Sequence, residues 1–96
     1  MDIPEYRIEI IPLSDVASEE MGFEWADDCV GKRSKIGGSP KFLQDEFVPA
    51  CNRCGLPMSF YAQIDSVGDN LVLADAGMVY VFVCFDCFET TSFIQS

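Results

Sequence analysis

Four of the five cysteines fall into two pairs, Cys51-Asn52-Arg53-Cys54 and Cys84-Phe85-Asp86-Cys87. Two residues between cysteines let a tight turn present both sulfurs to one tetrahedral ion. Gly55 follows the first pair, and a glycine there removes the Cβ penalty in a turn whose amides point back at the sulfurs. Cys51 and Cys87 are equidistant from Asp69, and so are Cys54 and Cys84. Asp69 sits in the turn-forming triplet Gly68-Asp69-Asn70. An antiparallel hairpin centred there gathers all four sulfurs at one end. The fold class expected is therefore mainly β: a small antiparallel sheet with a zinc ribbon, its two CxxC knuckles at one end of a hairpin. Cys51, Cys54, Cys84 and Cys87 are the expected ligands of one structural Zn²⁺. A four-thiolate site leaves no open position for a catalytic water. Iron is the other metal such a set accommodates. A dithiol redox pair expects a βαβ setting that this sequence lacks, and disulfides rank behind it.

A chain of 96 residues bounds the organisation to one domain, residues 1–96, with one modest core that gains from a staple such as a metal. A hydrophobic fraction of 49% with eight Phe excludes disorder. The longest apolar run, Met78 to Phe85, falls far short of the roughly 20 residues of a membrane helix. The opening Met1-Asp2-Ile3-Pro4-Glu5 is acidic and broken by proline, unlike a secretory signal. Cytoplasmic residence is the expectation, and its reducing conditions favour metal over disulfide.

Sixteen acids face six bases, a formal charge of −10; four thiolates on one dication would add about two more negative charges. Such a balance argues against nucleic acid and against anionic membrane surfaces. It suits a basic protein partner, although solubility is the commoner use of net charge. Histidine is absent, which removes the commonest general base. A non-enzymatic protein is the expectation.

Strands are expected at Tyr6–Ile11, Met58–Asp65, Met78–Cys84 and Thr90–Gln95. The run Met78–Cys84 reads as a strand buried on both faces. Ser14 is a candidate helix cap, while Met21, Phe23 and Trp25 alternate as in a strand; the two readings of Ser14–Asp28 stay open. Gly37-Gly38 lacks the Gly-Lys-Ser/Thr continuation of a phosphate loop and is expected to form a turn, after which Phe42 and Leu43 dock on the core. Trp25 is either a core residue, the commoner role, or an interface anchor. Cys29 is expected to be a buried or partly buried thiol. Asp65, Asp69 and Asp75 do not match an EF-hand loop and are expected in solvated turns. Arg53 is placed to soften the negative thiolate cluster.

Three stretches together resemble the bacterial YwqG-like family: Ser34–Gln44 with its Gly-Gly-Ser-Pro, Cys51–Ser66, and Asp75–Cys87. The same series of motifs is similar to that in programmed cell death protein two and its relatives. The resemblance spans the middle and last thirds of a chain much shorter than the usual member. It implies a mainly β fold, and the eukaryotic relatives are associated with handling a ribosomal protein. The functional expectation is a small zinc-binding protein-interaction or chaperone-like module. A thiol-based redox or metal-sensing switch is the alternative, and an enzyme using its carboxylates on a small substrate is the third.

Overall fold

The computed structural model describes residues 1–96. Five antiparallel strands form one sheet in the order β1-β2-β3-β4-β5, so each strand lies beside its neighbour in sequence. They are β1 (Tyr6–Arg7), β2 (Lys35–Ile36), β3 (Ser59–Asp65), β4 (Met78–Val83) and β5 (Thr90–Gln95). One helix, α1 (Asp15–Glu19), is capped by the Ser14 hydroxyl, which accepts from the Ala17 amide. The capping reading of Ser14 holds, and the strand reading of Met21 to Trp25 does not. No helix is long and apolar enough to cross a membrane.

The three long strands carry the core on one face. Phe60, Phe82, Tyr80, Met78 and Met58 cluster there with Cys51 and Cys84. Phe93 stacks on Tyr80 and Phe82 at centroid distances of 5.5 and 5.9 Å, and Phe42 packs on Tyr80 at 5.3 Å. Phe42 therefore docks as expected, while Leu43 remains exposed. The segment around Lys41–Asp45 covers this face in place of a second sheet. It is fastened by side chains: Tyr80 Oη donates to the Lys41 carbonyl, Gln95 Oε1 accepts from the Leu43 and Gln44 amides, and Gln95 Nε2 donates to the Asp45 carbonyl.

In the sheet itself, expectation and structure part over the first strand, the burial of β4 and the hairpin register. The first strand is only Tyr6–Arg7; the Ile8 amide still donates to the Ser34 carbonyl at 3.1 Å, and Glu9, Ile10 and Ile11 lie outside the sheet. In β4 burial alternates, with Met78, Tyr80 and Phe82 inside and Val79, Val81 and Val83 half-buried. The β4 run is apolar on both sides, but only its inner face is fully buried. The hairpin is also registered differently. Ser59 pairs with Val83 and Asp65 with Met78, around a bulge between Phe60 and Ala62. Its centre is at Leu71–Val72 rather than Asp69. The first knuckle is a small reversal of its own, closed by the bridge Ala50↔Pro57, so its residues do not count toward the strand pairing.

Asp65 departs most from its expected solvated turn. It ends β3 with its side chain buried against Arg33, whose Nη2 lies 2.7 Å from Oδ1 and whose Nε donates to Oδ2 at 2.8 Å. The Gly31 and Arg33 amides donate to the same Oδ2 at 2.7 and 2.9 Å. Burial pushes the carboxyl pKa up, but the Arg33 guanidinium and these two amides outweigh it and hold it below the ordinary 3.8. A carboxylate satisfied this fully fixes the irregular segment before β2 to the end of β3.

Because the folded pKa of Asp65 is depressed, the pair contributes fully above the ordinary carboxyl value and is lost as pH falls through the folded one. Arg33→Ala leaves a buried carboxylate unpaired and is expected to cost about 3–5 kcal/mol, with a smaller penalty at pH below 3.8. Urea unfolding of both proteins at neutral and acid pH measures it. An equal, small difference at both would contradict the assignment.

Candidate metal centre

Each cysteine pair sits in the same backbone device. In the first, the Cys51 amide donates to the Leu56 carbonyl and the Gly55 amide to the Cys51 carbonyl, both at 2.8 Å. In the second, the Cys84 amide donates to the Glu89 carbonyl at 2.9 Å and the Phe88 amide to the Cys84 carbonyl at 2.7 Å. Both knuckles need a left-handed residue four places after the first cysteine. Gly55 supplies it at φ 75°, and Phe88 adopts φ 57°. A non-glycine residue there costs about 1 kcal/mol or more, so the second knuckle holds Phe88 in a conformation its side chain disfavours. That side chain is 76% exposed and recovers little of the cost by packing.

The first knuckle lies between the loop from β2 and the start of β3, and the second joins β4 to β5. Strands β3 and β4 pair at Ser59↔Val83, which sets the two knuckles side by side. The ligand atoms of Cys51, Cys54, Cys84 and Cys87 all lie within 4.8 Å of one another. The sulfurs of Cys54 and Cys84 are 3.8 Å apart. A tetrahedral ion with metal–sulfur bonds of about 2.3 Å separates its ligands by about 3.8 Å, so the cluster fits a four-thiolate metal site. Cys51 and Cys84 are buried in the core, Cys87 is half-buried and Cys54 is exposed.

The sulfurs differ in how readily they ionise. The Cys54 and Arg53 amides donate to the Cys51 sulfur and lower its pKa to about 7; the Arg53 amide lies 3.4 Å away. For Cys54 the Leu56 amide pulls the same way, but burial and the adjacent Cys51 and Cys84 thiols leave its pKa raised. Burial, then the Cys54, Cys51 and Cys84 thiols, push Cys87 up to about 12. Four thiolates this close need a cation between them, and binding one displaces protons. Arg53 contributes mainly through its amide, since its guanidinium points to Glu89 at 3.8 Å.

Outside the cluster some residues fall where expected and others do not. Cys29 is exposed and far from being a core thiol. Trp25 is 90% exposed, not packed in the core, and Phe23 is half-buried. Asp69 and Asp75 are exposed in the connection after β3, as expected, and Asp69 also accepts from the Glu24 amide at 3.0 Å. Gly37 and Gly38 both have positive φ, and a Cβ on Gly37 would lie 2.0 Å from the Pro4 carbonyl oxygen, which confirms the structural turn. Sequence reasoning missed that five of the six bases share one cleft. The crowding of four of them into Lys32–Lys41 was the available signal.

The chain is 34% identical over 62 residues to the uncharacterized protein YpfL of Salmonella typhimurium. The match covers 65% of this chain, which spans about 15% of the length of that curated relative. No protein-family model matches the chain, and no solved structure matches it.

If the four clustered sulfurs act together, Cys84→Ser should unfold or aggregate the protein while Cys29→Ser leaves its melting temperature nearly unchanged. Thermal unfolding followed by circular dichroism compares them. Equal damage from both would separate the cluster from stability.

Proposed function

We propose that the protein is a small zinc-binding module with a non-enzymatic, protein-interaction or chaperone-like role, and that Cys51, Cys54, Cys84 and Cys87 hold one structural Zn²⁺. The observation that carries this reading is the approach of all four sulfurs to within 4.8 Å. A closed set of four thiolates suits Zn²⁺ in a structural role, with the neighbouring amides steadying the sulfurs. Only 18 of 96 residues are buried, so a core this thin gains much from such a staple. Structural zinc in small peptides contributes about 10–16 kcal/mol of apparent binding energy, comparable with the whole stability of a domain.

Purified protein is expected to carry one equivalent of zinc, and a strong chelator should unfold it. Elemental analysis and circular dichroism test both. A folded, metal-free protein indifferent to chelator would overturn the reading.

The partner we propose is a basic protein segment. Nine of the sixteen acids lie at or before Asp28, with only Arg7 opposing them there. Trp25, 90% exposed in that segment, supports a role as the apolar anchor, since charge alone sets encounter rate more than affinity. The resemblance to ribosomal-protein handlers points the same way. The absent histidine and the closed ligand set speak for binding over catalysis. A pull-down at low and high salt should enrich basic proteins at low salt only, and Trp25→Ala should reduce the capture. Unchanged partners with that variant and with a charge-reversed N-terminal segment would leave the acids as a solvated surface.

A further inference from the structure

Arg7, Lys32, Arg33, Lys35 and Lys41, five of the six bases, line a single cleft of about 290 Å³ with no hydrophobic side chain in its wall. In a chain of formal charge −10, gathering like charges this way opposes simple solubility, which intersperses the signs. Three of the five cations are compensated. Arg7 pairs with Glu9, Arg33 with Asp65, and Lys35 with Glu5 and the Ser39 carbonyl. Lys32 and Lys41 are both exposed and form no salt bridge; all four ion pairs in the protein belong to other cations.

The floor of the cleft is built. Gln63 is 1% exposed, and its side chain fastens the two segments that carry the free lysines. Its Nε2 donates to the Arg33 carbonyl at 2.7 Å, and its Oε1 accepts from the Lys41 amide at 3.1 Å. The Lys41 carbonyl is fixed in turn by Tyr80 Oη at 2.8 Å. Lys32 and Lys41 thus stand on backbone whose polar groups are bonded beside them, and the ordering cost of bringing two cations together is met by the fold.

We propose that this cleft binds a phosphate group, as inorganic phosphate or as the end of a small phosphomonoester. Two ammonium groups that form no salt bridge match the double negative charge of such an oxyanion, and the one carboxylate in the wall, Glu5, is already held by Lys35. A wall without apolar side chains offers nothing to an acyl chain or an amphipathic helix. The site is separate from the thiol cluster and does not depend on what that cluster holds.

The test is a titration of the zinc-loaded full chain with inorganic phosphate and, in parallel, with glycerol phosphate, at low ionic strength. Backbone amide shifts of residues 31–41 and 63 report binding. Saturable shifts confined to these residues are expected, with sulfate competing. Lys32→Gln with Lys41→Gln should weaken binding at least about tenfold, which corresponds to one charge-assisted contact of about 1.4 kcal/mol. Both positions are exposed, and an unchanged amide spectrum elsewhere verifies folding. Tighter binding of the ester would assign the site to esters, and tighter binding of phosphate to the free ion. Absence of saturation at millimolar ligand, or an equal loss with Arg53→Gln, a cation outside the cleft, would overturn the proposal.

Discussion

Most of the chain lies outside helix and strand, and the backbone polar groups of those segments must still find partners when the chain packs down. Four polar side chains on the sheet supply them. Asp65 takes the Gly31 and Arg33 amides, Gln63 the Arg33 carbonyl and Lys41 amide, Tyr80 the Lys41 carbonyl, and Gln95 the Leu43, Gln44 and Asp45 groups. No buried side-chain nitrogen or oxygen lacks a partner. This row fastens the irregular stretches on either side of β2 to the sheet, beside the pairing of β2 with β3 and the packing of Phe42 on Tyr80.

The two ends of the molecule are built on different chemistry as a result. At one end Cys51 and Cys84 belong to the core cluster itself, so anything that binds the sulfurs acts directly on core packing. At the other, Asp65 and Gln63 tie Arg33 and Lys41 to β3. Gln63 and Arg33 also line the basic cleft, so the same hydrogen bonds that hold the irregular segment in place shape a cationic surface in an acidic protein.

What could be seen beforehand was what depends on local rules. Spacing within CxxC, the β-branched and aromatic run of β4, the strand at Thr90–Gln95 and the Ser14 cap each involve residues a few positions apart. The hairpin centre escaped because the first knuckle makes its own reversal at Ala50↔Pro57. The gathering of the sulfurs survived that error, since it requires only that both knuckles end the same pair of strands. Asp65 was misread because a lone acid after a strand looks solvated until its partner, 32 residues away in sequence, is known. Trp25 was misjudged by the general habits of tryptophan in a segment that contributes little to the core.

The sequential strand order carries a kinetic consequence. Strands β3, β4 and β5 and both knuckles fall within Ala50–Gln95, where β3 pairs with β4 and β4 with β5. Loop closure between near neighbours is entropically cheap, so this half of the chain has the shorter search. The first half joins through contacts spanning 22 to 58 residues, from Lys41 to Gln63 and from Met1 to Ser59. During synthesis the N-terminal half emerges first yet has no sheet to dock on. Its docking partners on β3 and β5 exist only once the half that carries the two CxxC pairs has been made.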